Sequence, residues 1–359
     1  MLYTVPDWYE CFSHGESFAV GFKSDSSTLW DSVTPARSGS EKGYFTIEHF
    51  SDQLRSLTLS GFETTYSFFY PLKSFTSIHP HSNFVYSFKP SSDQSLIVSG
   101  GERGDLRVFA TASGDVVKTY EGHVGDINHC SFFPSDKVLL SCSTDLSIRI
   151  WDLFTTSCAR IIHPHTASIL KVLPIDSGKE IVSIGKDDCV VKTVVASKDQ
   201  LWKQQVPCIG DVCLMSSDEA AVLSCNGSIH IIALDSGSIT DYYDFSLTSP
   251  KCLAIATNDD SKVFIVGGDS AIAIVTDSDP VTIPIPFGVV RQIEVVGDDV
   301  YFSEADKVVG CSLSSLLSST PRLDNIRVYQ APKVHDVYHF EVGTNIWIST
   351  NVGYFCFSK

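Results

Sequence analysis

Residues 121–152 read EGHVGDINHCSFFPSDKVLLSCSTDLSIRIWD, opening on Gly-His and closing on Trp-Asp. INHCSFF (127–133) predicts a first strand, Pro134-Ser135-Asp136 a turn, and VLLSCS (138–143) a second strand. Asp145 falls in a tight turn, SIRIW (147–151) predicts a third strand and CARII (158–162) a fourth. The stretch is thus most of one antiparallel, four-stranded sheet.

His123 and Trp151 are 28 positions apart, the interval that also separates His81 from Phe109 and His165 from Thr193, and the three histidines follow one another at 42. A period in the low forties marked by Gly-His and Trp-Asp resembles the blades of WD-repeat propellers. Later blades lose the marks and keep the rhythm. DVCLM, AAVLSC, SIHIIAL and ITDYYDF predict a fourth blade, with Asn226-Gly227 as a type I′ hairpin turn. KCLAIAT, KVFIVGG, AIAIVTD and VTIPIP predict a fifth; RQIEVV, DVYFSEA, VVGCSL and IRVYQ a sixth. The last blade offers only DVYHFEV, NIWIST and YFCFS, and LKSFTSI (72–78) is expected to supply its outer strand, because an open end would leave an unpaired strand edge. The expected fold is all-β, a seven-bladed WD-repeat β-propeller over 71–359, preceded by a non-repeat, aromatic-rich accessory segment over 1–70. In that segment SDSSTLWDSVTPARSGSEK reads as a flexible insertion and HFSDQLRSL as a short helix turn.

The chain has 359 residues, 43% of them hydrophobic, and 26 basic against 42 acidic residues give a formal net charge of −16. Such a field repels phosphate backbones, so nucleic acid is not expected as a partner, whereas a basic protein surface is. The N-terminus lacks the basic start and apolar run of a signal peptide, and no apolar stretch approaches the ~20 residues that cross a bilayer. A cytoplasmic protein, with the nucleus as a second compartment and no membrane partner, is expected. The eleven cysteines are scattered and odd in number, which reads as free thiols in a reducing compartment.

In a WD blade a His, a Ser or Thr of the second strand, a turn Asp and the Trp commonly share one hydrogen-bonded chain. Here the members are His123, Ser143 (or Ser141), Asp145 and Trp151. The repeat explains this Ser-His-Asp set as scaffold, so no hydrolase is read from it. Phe109-Ala110 and Thr193-Val194 replace Trp-Asp in blades one and three, where the same tetrad is not expected to form. The two His-Pro-His triplets, 79–81 and 163–165, lie two repeats apart and are not expected to share a metal. There is no CxxC pair, P-loop or GxSxG elbow, and no catalytic residue, cofactor or metal is expected. The Trp-Asp-x-Arg pattern by which many WD proteins join cullin ligases is missing after Trp151-Asp152.

EGHVGDINHCSFFPSDKVLLS with SIRIWD, the Asp7-Trp8 start, the segment leading into FTSIHPH, and HTASILKVLPIDSGKEIVSIGKDD together resemble the proteasomal ATPase-associated factor family, WD-repeat chaperones of proteasome base assembly. Residues 200–359 match in layout only, and Thr193-Val194 stands where the family shows Trp-Asp. The resemblance implies a monomeric, non-catalytic chaperone that holds the C-terminal domain of one ATPase subunit of the 19S regulatory-particle base, delaying its docking onto the core particle. It implies binding through acidic residues on one propeller face, the one built from the turns between second and third strands and the loops between blades. The candidates there are Glu102, Asp105, Asp126, Asp187, Asp188, Asp211, Asp269, Glu304 and Asp336. The opposite face is acidic as well, with Asp93, Asp199, Asp218, Asp298 and Asp299 among others. The alternative is a general WD-repeat scaffold or adaptor, in signalling or as a ubiquitin-ligase substrate receptor.

Overall fold

The computed structural model describes residues 2–4, 8–9, 18–23, 28–34, 39–40, 46–51, 56–61, 64–75, 84–258, 261–318, 323, 326–331, 334, 336–351 and 353–359. The chain divides into two compact units, one over Phe75–Thr282 and one over Met1–Ser74 with Ile283–Lys359.

The first unit is built of four-stranded antiparallel blades, numbered here in chain order with strands a to d. Blade 1 comprises Val85–Pro90, Leu96–Gly101, Leu106–Ala110 and Val116–Tyr120; blade 2, Ile127–Phe132, Val138–Ser143, Ile148–Asp152 and Cys158–Ile162. Blade 3 comprises Ile169–Ile175, Glu180–Gly185, Cys189–Val194 and Gln200–Gln205; blade 4, Ile209–Leu214, Glu219–Ser224, Ser228–Ala233 and Ile239–Asp244. Blade 5 holds Cys252–Asn258, Ser261–Gly267 and Asp269–Val275, and its fourth strand, Val281–Val289, runs across the division after Thr282.

A blade is buried on both faces, which is why its strands read as nearly continuous apolar runs. Successive side chains of a strand point to opposite faces. Leu139 and Trp151, paired across strands b and c of blade 2, join the core shared with blade 1, where Val98, Val108 and Tyr120 meet them. Their neighbours Leu140 and Ile150 join the core shared with blade 3, against Ile169, Val172 and Ile181. Strand d carries the exposed flank, as in Val116–Tyr120 and Ile239–Asp244.

Strands a of successive blades lie side by side, and side chains lock them together. The Cys130 N–H donates to Ser87 Oγ at 2.9 Å, Asn128 Nδ2 donates to the Ile169 carbonyl at 2.6 Å, and Lys171 Nζ meets Asp211 Oδ1 at 2.7 Å. The other Asp211 oxygen accepts the Leu253 N–H at 3.0 Å, so one carboxylate ties blades 3, 4 and 5.

The second unit contains blade 6, Ile293–Val296, Asp299–Glu304, Lys307–Ser312 and Ile326–Gln330, and blade 7, Val337–Val342, Asn345–Thr350 and Tyr354–Ser358. The fourth strand of blade 7 is Lys73–Phe75, beside Tyr354–Ser358, and the Leu72 N–H reaches the Cys356 carbonyl at 2.7 Å. Residues 76–78 of the expected strand lie outside the described residues. Five blades and two blades give the all-β, seven-bladed class predicted from the sequence.

The N-terminal segment differs from expectation. Thr64–Phe69 pairs in parallel with Ile326–Gln330, the outer strand of blade 6, and the strands Ser56–Gly61, Thr46–Ser51, Gly39–Ser40, Thr28–Thr34, Phe18–Lys23 and Leu2–Thr4 extend that sheet further. Residues up to 74 therefore pack in one unit with blades 6 and 7, and no boundary falls at residue 70. Phe69 stacks on Tyr329 with centroids 4.6 Å apart, and Trp8, fully buried, meets the Tyr70 ring edge to face. Of HFSDQLRSL, the described ends lie in the paired strands Thr46–Ser51 and Ser56–Gly61, and residues 52–55, on which the expected helix turn falls, lie outside the described residues. Leu57 and Leu59 alternate into the core from Ser56–Gly61, a period of two that a helix would break. The Ser-rich run is likewise a strand over Thr28–Thr34. The Asn226-Gly227 turn is not type I′. Only Gly227 has positive φ (+94°), and its N–H reaches the Ser224 carbonyl at 3.1 Å, which makes a type I turn closed by a glycine bulge.

Candidate functional site

The loop from blade 1 into blade 2 brings His123 over the b–c turn of blade 2. Gly122, at φ +155°, permits this approach, because a Cβ there would stand 2.4 Å from Arg149 Nη1 and 3.0 Å from the Trp151 ring. Trp151 Nε1–H donates to Ser141 Oγ at 2.8 Å, Ser141 Oγ lies 2.8 Å from His123 Nε2, and His123 Nδ1 lies 2.8 Å from Asp145 Oδ2. The donor count fixes the protons: Ser141 accepts from Trp151 and gives its own hydrogen to Nε2, leaving Nδ1–H to donate to Asp145. Burial holds His123 below the usual histidine range despite Asp145, in keeping with a neutral ring. Burial alone would raise the Asp145 carboxyl, but hydrogen bonds from Ser147 and His123 outweigh it and bring it to about 2.

Of the two serines weighed in the sequence, Ser141 holds the network position, and Ser143 does not. Ser141 pairs with Arg149 and lies within reach of both rings, whereas Ser143 stands two residues nearer the turn, where its Oγ accepts the Asp145 N–H at 3.1 Å. Ser141 has no exposed surface, so no carbonyl substrate can reach its hydroxyl.

Blade 3 lacks the full tetrad, as the sequence indicated, but keeps the rest of the network. His165 Nδ1 lies 2.8 Å from Asp187 Oδ1 and Nε2 lies 2.9 Å from Ser183 Oγ, so three members of the tetrad are present. Each stands 42 positions after its counterpart in blade 2, a signal the sequence carried. Thr193 occupies the Trp position, and its buried hydroxyl has no hydrogen-bond partner. Lys203 Nζ joins at 3.2 Å from Asp187 Oδ2.

These contacts sort the nine acidic candidates. Asp187 is nearly buried in its network, and Asp211 is the latch between strands a. Asp105 pairs with Arg107 at 2.8 Å and Asp269 with Lys251 at 2.9 Å. Glu304 is buried 3.6 Å from Lys307, and burial raises its pKa against the pull of that ammonium. Asp126 Oδ1 accepts the Arg103 N–H at 2.9 Å beside Glu102 and Asp105, and Asp188 Oδ1 accepts the Cys208 N–H at 2.9 Å. Neither has a cation at ion-pair distance among the described residues, so backbone amides orient these two carboxylates without neutralising them. Asp336, ahead of blade 7, is held through its backbone by Asn351. On the other face Asp298 is bound by Ser312 and Ser314, and Asp299 pairs with Arg327.

No group of three or more His, Cys, Asp or Glu side chains gathers as a metal site among the described residues, and His163 Nδ1 contacts the Leu146 carbonyl. His79 and His81 lie outside the described residues. No helix among the described residues is long and apolar enough to cross a membrane.

The family model "WD domain, G-beta repeat" matches residues 71–109 and 114–152. Each match begins with the outer strand of one blade, Lys73–Phe75 or Val116–Tyr120, and ends with strand c of the next, so the sequence repeat is offset from the blade by one strand. Mouse pre-mRNA-processing factor 19 is 28% identical over 96 residues, 27% of this chain and 19% of that protein. A WD repeat domain-containing protein 83 homolog of Dictyostelium discoideum is 39% identical over 74 residues, 20% of this chain and 23% of that one. Transcription initiation factor TFIID subunit 5 of Drosophila melanogaster is 43% identical over 54 residues, 15% of this chain and 8% of that one. The chain spans about a fifth of the length of most of these relatives, or less. Blades 1 and 2 therefore contain WD40 repeats, and over them the chain is similar to WD-repeat proteins in general.

Proposed function

We propose that the chain is a non-catalytic WD-repeat binding protein that holds a basic partner surface against the b–c turns and interblade loops of blades 1 to 3, and that the partner is the C-terminal domain of a proteasomal ATPase subunit. The observation that carries the binding reading is the pair Asp126 and Asp188, two carboxylates fixed by backbone N–H groups at 2.9 Å and left without a cation. Preset charges of this kind steer encounter and need no reordering on contact. The net charge of −16 supports a basic partner. The choice of a proteasomal ATPase rests on the family resemblance alone.

The test combines capture and charge reversal. The tagged chain should bring down proteasome base ATPases. Asp126→Lys with Asp188→Lys should weaken binding at least tenfold, about 1.4 kcal/mol. Asp199→Lys with Asp218→Lys, in the loops of the opposite face, should leave binding within about twofold. Capture of an unrelated complex through the same two carboxylates would keep the binding face and replace the partner with that of a general adaptor. Equal losses from both pairs would refute the face.

A further inference from the structure

Ten cysteines lie among the described residues, and Cys208 and Cys225 are the exposed ones. They sit in the loop entering blade 4 and in its b–c turn, just beyond the paired residues Ile209 and Ser224. The antiparallel register continues one step outward, and the Cys225 N–H reaches the Cys208 carbonyl at 2.7 Å. Directly opposed residues of an antiparallel pair carry their side chains on the same side of the sheet, with Cβ atoms about 4.5–5.5 Å apart, close to what a disulfide spans. Two local features favour the approach. The Cys225 sulfur lies 3.0 Å from where a Cβ on Gly210 would stand, so the glycine leaves it room. The Cys208 side chain in turn lies at hydrogen-bonding distance from the Cys225 thiol.

We infer that Cys208 and Cys225 form a thiol modification site, closing a reversible cross-strand disulfide with a low-molecular-weight disulfide such as oxidised glutathione as the oxidant. The Cys225 thiolate attacks one sulfur of the small disulfide and expels a thiolate, giving a mixed disulfide. The Cys208 thiolate then attacks the Cys225 sulfur and expels the second. Two protein thiols become one disulfide, the small disulfide is reduced to two thiols, and the cysteine protons pass to the thiolates released. Burial and the neighbouring Cys208 sulfur push the Cys225 thiol up, so the first step quickens as pH rises above neutrality. The remaining thiols are shielded to different degrees, and eight of them are buried or half-buried among the described residues. Cys208 donates its N–H to Asp188, so closing the pair would pin the loop that orients a proposed binding carboxylate, a consequence that rests on the proposed function.

The test uses the full chain in oxidised glutathione, followed by peptide mass spectrometry without reduction. A peptide joining Cys208 to Cys225, two hydrogens lighter than its parts and released by dithiothreitol, is the expected product. Cys208→Ser should abolish it and leave glutathione on Cys225, whereas Cys158→Ser should leave the cross-link intact. Stable glutathione adducts on both cysteines, both thiols remaining free, or a bridge to any other cysteine would overturn the inference. None of these readouts depends on the partner.

Discussion

Ser141→Ala removes one hydroxyl from a site with no exposed surface, and so does Ser143→Ala, two residues along the same strand. The volume lost is the same, so the two variants differ in what they leave unpaired. Without Ser141 Oγ the Trp151 Nε1–H and His123 Nε2, each now 2.8 Å from it, lose their partner inside the protein. A buried polar group without a partner costs about 1–3 kcal/mol, so the pair costs about 2–6 kcal/mol. Ser143→Ala removes one acceptor for the Asp145 N–H, at 3.1 Å and partly buried, which costs about 1 kcal/mol. Folded domains are stable by about 5–15 kcal/mol, so the first loss is a large share and the second is small. Urea unfolding of both variants, followed by tryptophan fluorescence and circular dichroism, reads the difference as displaced midpoints at unchanged slope. A double variant with His123→Ala should cost less than the sum of the two single changes, because the same chain is broken twice. Midpoints of Ser141→Ala and Ser143→Ala within about 0.5 kcal/mol of each other would refute the assignment of Ser141 to the network.

Burial lowers the folded pKa of both His123 and His165 from 6.5, so below that pH the unfolded chain takes up protons the folded chain refuses, and stability should fall as pH drops. Unfolding midpoints flat from pH 7 to 4 would contradict the histidine reading; Asp145, at about 2 against 3.8, adds stability that is present above its unfolded value and lost as pH falls towards its folded one, so midpoints that do not fall further between about pH 4 and 2 would contradict that of Asp145. Thr193→Val removes a buried hydroxyl that has no partner and should raise stability by about 1 kcal/mol in the same urea assay, whereas a loss would show that the hydroxyl is satisfied. Deleting residues 1–70 strips the partner strand from Ile326–Gln330 and removes the buried Leu57, Leu59, Tyr66 and Phe68, at about 1.5–3 kcal/mol each. The truncated chain should aggregate or melt far below the full one, and a monomer with an unchanged melt would sink the single-unit reading.

How much of this was legible in the sequence depends on whether a residue's role is set by the repeat or by a partner far along the chain. Strands a to d of blades 4 to 6 and the first three of blade 7 could be read directly, because a blade face sandwiched between neighbours demands apolar runs such as AAVLSC and NIWIST. The His-Ser-Asp set of blade 3 was equally legible at the spacing of 42, yet the missing Trp hid it. The structure shows why the Trp is dispensable: His165 needs only Ser183 and Asp187 to satisfy both ring nitrogens, and the indole adds a donor to a chain already closed. Choosing between Ser141 and Ser143 needed three dimensions, since both point to the same face of one strand. The acidic candidates were harder still. A sequence counts carboxylates without showing which are spent on Lys171, Lys203 or Arg107, so Asp187 and Asp211 looked as available as Asp126 and Asp188.

The N-terminal strands were hidden for a related reason. Thr64–Phe69 pairs in parallel with a strand more than 250 positions away, and nothing local in TTYSFF names that partner. A parallel neighbour also explains why the segment looked like an accessory. It lacks the turn-by-turn rhythm of a blade, because its outer-strand partner Ile326–Gln330 already belongs to one. An unpaired outer strand invites edge-to-edge association, and the segment covers that edge. The same logic holds for Lys73–Phe75, which leaves the N-terminal run to become the fourth strand of blade 7. One stretch of about a dozen residues, 64–75, therefore pairs with the outer strand of blade 6 and supplies the outer strand of blade 7. Its aromatic content follows from those two pairings: Phe69 stacks on Tyr329 of blade 6 and joins the same core as Phe355 and Phe357 of blade 7.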